Sequence, residues 1–250
     1  MKNVICFSQM MGVLFFCILM SGCEKGHNDL KPVTNLDSGL VYYFPFNGNS
    51  IDQVSQETYD IKAGTYDSDR FKQPARALRL SDTTLSEQGM SIGSGLGEEE
   101  GSLSFWINLE ELNKFHPLFI KAYFHNFSAR TSNLYVTTDG ALVVYWIDNV
   151  QDFTVNTPEV IKPGKWQHIL LRWAKSKSSL EVFVNGKKVL TNDYQNDLIL
   201  DPTEPPEKMG YSYNYEGSHT GSSNYFRGRI DEIRRYNRWL NNAEVDKLSD

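Results

Sequence analysis

The chain has 250 residues, with 25 basic against 31 acidic side chains and a formal net charge of −6. That balance argues against a general nucleic-acid binder, which carries a basic footprint, and the length suffices for one large core. Of the three cysteines, Cys6 and Cys17 lie in an apolar N-terminus, so Cys23 has no partner for a disulfide in the rest of the chain.

Lys2 is the single charge in the first 22 residues, and a mostly apolar run from Val4 to Met20 leads into Ser21, Gly22 and Cys23. This is the pattern of an export signal, separate from the fold. Leu19-Met20-Ser21-Gly22-Cys23 resembles a bacterial lipobox, with Met20 where leucine is more usual. The resemblance implies a signal peptide over residues 1–22 and lipidation of Cys23. It places the chain in a bacterial cell envelope, lipid-anchored at the outer membrane, either facing the periplasm or displayed on the surface. The alternative is an uncleaved anchor, although the run is slightly shorter than the roughly 20 residues a spanning helix needs. No later apolar run could cross a bilayer, so contact with the membrane rests on the lipid alone. Residues 23–38 are polar and aperiodic, a flexible tether ahead of a folded domain over residues 39–250.

Leu40 to Phe46 has the aromatic and β-branched density of a strand, with Pro45 marking its end, and Asn47 to Ser50 follow as a turn. Ala77–Leu80, Gly101–Ile107, Pro117–Phe124, Asn133–Thr137 and Ala141–Ile147 read as further strands. A longer one runs from Trp166 through Ile169, Leu171 and Trp173. Leu180, Val182 and Val184 then alternate up to Asn185-Gly186, the signature of a type I′ hairpin. Phe226, Gly228 and Ile230 alternate, but Ile233 has the opposite parity, which predicts a bulge near Asp231 and Glu232. Leu240, Asn241, Glu244 and Val245 supply a capping box and a hydrophobic staple for one short terminal helix. Trp106, Trp166 and Trp173 are expected in the core, with Trp239 docking the helix.

Phe226 to Leu248, FRGRIDEIRRYNRWLNNAEVDKL, resembles the closing strand and helix of LamG-like, concanavalin A-like jelly-roll domains. LVYYFPFNGNSIDQ, Ala77–Leu80, Gly101–Ile107 and WQHILLRWAKSKSSLEVFVNGKKVL are similar to that family's earlier strands, in the same order. Arg235, Trp239 and Asn241 depart from its pattern. The resemblance implies an all-β fold: a concanavalin A-like jelly-roll β-sandwich of two antiparallel sheets with a short C-terminal helix. It also implies a structural calcium near the first and last strands, at positions matched by Asn49, Asp52 and Asp231. The competing reading is that Asn49 and Asp52 shape a turn while Asp231 or Glu232 pairs with Arg229 or Arg234.

A retaining glycosidase needs two carboxyls about 5–5.5 Å apart, and no acidic triplet with suitable spacing stands on a predicted strand. Asp231 and Glu232 are adjacent, so a regular strand would point them apart. Glu98-Glu99-Glu100 reads as a solvated turn. The histidines lack ligand spacing, and the serines lack a nucleophile elbow. Sugars require aromatic rings rimmed by polar groups. Two segments qualify: Tyr145 and Trp146 beside Asp148, and Tyr211, Tyr213 and Tyr215 ahead of a glycine-rich stretch. The expectation is therefore a non-catalytic, membrane-anchored lipoprotein binding a polysaccharide, glycoconjugate or glycosylated protein. A protein-interaction or adhesion module is one alternative; a divergent glycoside hydrolase or polysaccharide lyase using Glu232 is the other.

Overall fold

Period-two alternation, broken by turns rich in glycine and asparagine, folds most of the chain into strands. The structure is a computed structural model describing residues 33–81, 88–92, 99–125, 128–147, 152–193, 207–210 and 226–250. The signal segment, Cys23, Asp148, Tyr211, Tyr213 and Tyr215 lie outside the described residues.

The strands are β1 (Leu40–Phe44), β2 (Ile61–Lys62), β3 (Gly64–Asp67), β4 (Ala77–Leu80), β5 (Gly89–Ile92), β6 (Glu100–Leu109), β7 (His116–His125) and β8 (Ser128–Val136). They continue with β9 (Ala141–Ile147), β10 (Asp152–Glu159), β11 (Gln167–Ala174), β12 (Ser179–Val184), β13 (Lys187–Asp193), β14 (Glu207–Met209) and β15 (Gly228–Tyr236), before helix α1 (Asn242–Ser249). One sheet runs β13-β12-β11-β6-β15-β4-β3, with β1 also paired to β15. The other runs β10-β9-β8-β7-β14-β5-β2. The ladders are antiparallel, as the sequence predicts.

The core lies between the sheets. Leu103, Phe105, Ile107, Ile169, Leu171 and Trp173 from one sheet meet Phe119, Leu134, Val136, Leu142 and Val144 from the other. Phe105 and Phe119 touch across the interface, their ring centres 4.9 Å apart. Trp173 is core as expected, whereas Trp166 is only half-buried. Trp106 is buried on the opposite side of its sheet from Phe105 and Ile107, against the Arg70 guanidinium 4.5 Å from its ring.

β15 organises the first sheet. Its first half lies between β6 and β4, and its second half between β6 and β1. Register against β6 slips between Asp231 and Arg234, where Glu232 takes the left-handed φ of 55°. This expected bulge lets Ile230 and Ile233, opposite in parity, both reach the core. The β12–β13 hairpin turns at Asn185 and Gly186, with φ of 50° and 73°, the two positive values of a type I′ turn.

A second apolar cluster covers the outer side of the first sheet: Leu170, Phe183 and Tyr236 beneath Leu240, Val245 and Leu248. Asn241 caps α1 through Glu244, and Leu240 and Val245 form the staple. It is Leu240 that docks the helix; Trp239 instead stacks on Arg172. Residues 33–38, at the end of the expected tether, are hydrogen-bonded to the α1 corner.

Candidate functional site

Alternate residues of β8, β9 and β10 build the outward face of the second sheet. Val143 pairs with Tyr135 and Asn156, and Tyr145 pairs with Asn133 and Thr154. The residues between them, Leu134, Val136, Leu142 and Val144, belong to the core, so the pleat turns Tyr135 and Tyr145 the other way. Diagonal neighbours on adjacent strands stand roughly 7–8 Å apart, within reach for aromatic rings. Phe115, 43% exposed just ahead of β7, meets Tyr135 edge-on with ring centres 5.8 Å apart. Tyr135, Tyr145 and Asn133 are half-buried, while Thr154 and Asn156 are exposed. Burial raises the pKa of Tyr135 and keeps its hydroxyl neutral. Three rings bordered by amides and hydroxyls offer apolar contact and a polar rim together, the combination that sugar C–H faces and hydroxyls require.

Of the expected Tyr145–Trp146 platform, the structure describes the backbone register of both residues and the side chain of Tyr145. Position 146 pairs with Ser132 and with Phe153, which packs on the core. By register Tyr145 stands diagonal to Tyr135, which in turn meets Phe115, and the sequence reading missed both of these rings. Tyr135 falls inside a predicted strand, but only pairing of β8 with β9 reveals its partner. Tyr211 to Ser223 follow β14 in the sequence and lie outside the described residues.

A second concentration of polar groups lies on the outer side of the first sheet, at the β15 bulge. Asp231, Trp106 and His168 stand opposite one another on β15, β6 and β11. Asp231 is 2% exposed, accepts a hydrogen bond from the Glu232 backbone at 2.8 Å, and has Arg70 at 3.9 Å. Burial pushes its pKa up to about 8, aided by the Glu232 charge, with Arg70 opposing. Glu232 instead accepts the Tyr43 hydroxyl at 3.0 Å and pairs with Arg234 at 2.5 Å. Ser104 Oγ lies 2.8 Å from His168 Nε2. Burial, then Arg234 and Arg70, hold the His168 pKa down to about 3, so the ring is neutral. Both partners are fully buried, with His168 tilted against Trp106, so the pair has no access to a substrate. The two adjacent carboxyls are committed to different partners. Glu100, expected to be solvated, accepts the Trp239 amide at 2.8 Å.

The proposed calcium donors are also engaged. Asp52 accepts the backbone amides of Tyr43, Val54 and Ser55 at 2.8, 3.0 and 3.1 Å, and Asn49 accepts that of Ile51 at 3.1 Å. These are turn-shaping bonds. Among the described residues no three His, Cys, Asp or Glu side chains are grouped to hold a metal. With Asp52 and Asn49 engaged in turns, EDTA is expected to leave the thermal midpoint unchanged; a fall reversed by added calcium would contradict this.

Comparison with known proteins rests on the fold just described. The family model described as "Concanavalin A-like lectin/glucanases superfamily" matches residues 81–246. The chain belongs to the concanavalin A-like lectin/glucanase superfamily. No curated protein matches it in sequence. Solved structures with this superfamily chain's fold include domain 4 of AbnA, a GH43 extracellular arabinanase from Geobacillus stearothermophilus, determined with arabinotriose. That domain aligns with a TM-score of 0.61 at 18% identity, over 85% of this chain and 99% of its own length. The binding domain of Paraclostridial Mosquitocidal Protein 1 aligns with a TM-score of 0.63 at 18% identity, over 84% of this chain. A sialidase from Trypanosoma rangeli aligns with a TM-score of 0.57 at 16% identity, again over 84%. The chain spans 52% of the Mosquitocidal Protein 1 binding domain and 32% of the sialidase, and at these identities the shared property is the fold.

Proposed function

We propose that this superfamily member is a non-catalytic carbohydrate-binding lipoprotein, anchored through Cys23 to a membrane of the cell envelope. The observation that carries the binding is the outward aromatic face of Phe115, Tyr135 and Tyr145, rimmed by Asn133, Thr154 and Asn156. The arabinotriose held by the Geobacillus domain supports a carbohydrate as the ligand class and makes arabino-oligosaccharides a natural first panel. The engagement of Asp231 and Glu232 with Arg70, Tyr43 and Arg234 supports the absence of turnover. The lipid anchor is supported by the sequence up to Cys23.

Tyr145→Ala and Tyr135→Ala are each expected to weaken polysaccharide binding about five- to tenfold, since a stacked ring contributes on the order of 1 kcal/mol and ordered polar contacts depend on it. Phe71→Ala, at an exposed ring in the β3–β4 connection, is the control and is expected to bind normally. Undiminished binding by both tyrosine variants would move the site elsewhere. Cys23→Ala is expected to shift the protein from membrane to soluble fractions.

A further inference from the structure

Residues 33–38 have little burial to hold them: apart from half-buried Leu36, which packs on the α1 cluster, their side chains are exposed. Their order comes from hydrogen bonds to one corner. Arg238 donates from Nε to the Ser38 carbonyl at 2.6 Å and from Nη2 to the Asn35 carbonyl at 2.7 Å. The same guanidinium grips Glu244 with two bonds of 2.8 Å. Glu244 also accepts the Asn35 amide at 3.1 Å, and Asn241 Nδ2 reaches the Val33 carbonyl at 3.3 Å. Glu244 is 1% exposed and already caps α1, so its carboxylate serves the helix and the N-terminal lead at once. Asn237 donates its amide to the Gly39 carbonyl, where the lead becomes β1.

We propose that Arg238 and Glu244 form a clasp that ties the N-terminal lead to the C-terminal corner and shields β1 from tension. β1 has five residues and pairs with β15 starting at Leu40 opposite Tyr236. A pull on the lead without the clasp would act on that first pair and open the ladder bond by bond. With the clasp, the pull must first break the charge-assisted hydrogen bonds from Arg238 to the Ser38 and Asn35 carbonyls and from the Asn35 amide to Glu244, which the Arg238–Glu244 ion pair holds in position. The value of this device rests on the lipid-anchor reading, because only an attached chain is pulled from this end; the clasp itself does not depend on it.

Hydrogen exchange on the full chain in detergent micelles tests the clasp. In Arg238→Ala the amides of Asn35, Ser38 and Leu40 are expected to exchange at least tenfold faster, and chymotrypsin to cut at Leu36. Amides of Ile169 to Leu171 in the central strand should keep their protection. Arg238→Lys, which keeps the charge and loses the fork, is expected to fall between. Unchanged exchange at Asn35 and Ser38 would overturn the proposal, as would equal loss of protection in β11, which would make Arg238 a general stabiliser. Membrane fractionation of Cys23→Ala reports on the anchor separately, so a failed anchor and a failed clasp give different results.

Discussion

Replacing Arg172 with alanine is expected to destabilise the domain by about 3–5 kcal/mol, the range for breaking a buried ion pair from one side. Arg172 is 5% exposed on β11 and is held between the rings of Phe183 and Trp239, 4.8 and 4.5 Å from their centres. Its Nε and Nη2 donate to Glu181, its Nη1 to the Leu240 carbonyl at 2.6 Å, and its Nη2 also to Asn242 at 2.9 Å. The residue thus joins the first sheet to the start of α1. Burial raises the Glu181 pKa, but hydrogen bonds from Lys188 and Arg172 outweigh it and hold the carboxyl below its ordinary value. Without Arg172 that buried charge keeps only the partly exposed Lys188. Urea denaturation should show the loss with an unchanged slope, and Arg172→Met/Glu181→Leu, which removes both charges, should recover most of it. A loss below about 1 kcal/mol would mean the pair behaves as a surface bridge.

Stability is expected to peak near pH 6.5 and to fall on both sides for different reasons. His168 and His116 have folded pKa values held down to about 3 and about 4, chiefly by burial. Between those values and the ordinary histidine range the unfolded chain binds protons the fold refuses, so stability rises with pH. Asp231 acts in the opposite sense. With its folded pKa pushed up to about 8, the fold keeps a proton the unfolded chain has lost, and stability falls as pH rises from about 4 to about 8. From pH 4 to 6.5 the two histidines outweigh the single aspartate; above that range only the aspartate slope remains. Asp231→Asn supplies a neutral side chain of the same shape. It is expected to raise the thermal midpoint at pH 8 by several degrees, to change it little at pH 4, and to remove the alkaline decline. A midpoint lowered at both pH values would show that the ionised carboxylate is needed, as a cation site would require.

Local chemistry was legible wherever a few neighbouring residues decide the outcome. The Asn185-Gly186 turn, the parity break at Ile230 and Ile233, and the Asn241–Glu244 box each depend on a handful of positions, and all three form as read. The short strands β2, β3 and β5 carry too little alternation to be seen, and β10 escaped because Asn156, Thr157 and Pro158 resemble a loop. β10 is a strand because it borders β9 at the sheet edge, where a proline is tolerated. The site followed the same division. Tyr145 lies on a strand that the sequence announces, but its neighbours across the sheet depend on the β8–β9 register, which sequence adjacency does not give. Arg70 was invisible for a related reason: it arrives over Trp106 from the β3–β4 connection, 36 positions earlier in the chain.

The central claim is tested most directly by screening the chain from residue 24 onward against arabino-oligosaccharides and a broad polysaccharide panel, following binding and released product together. The account predicts binding without product, lost in Tyr135→Ala and Tyr145→Ala. Product that disappears in Glu232→Gln would contradict it by making the bulge a catalytic site, and absence of both binding and product across the panel would contradict it in favour of a protein ligand.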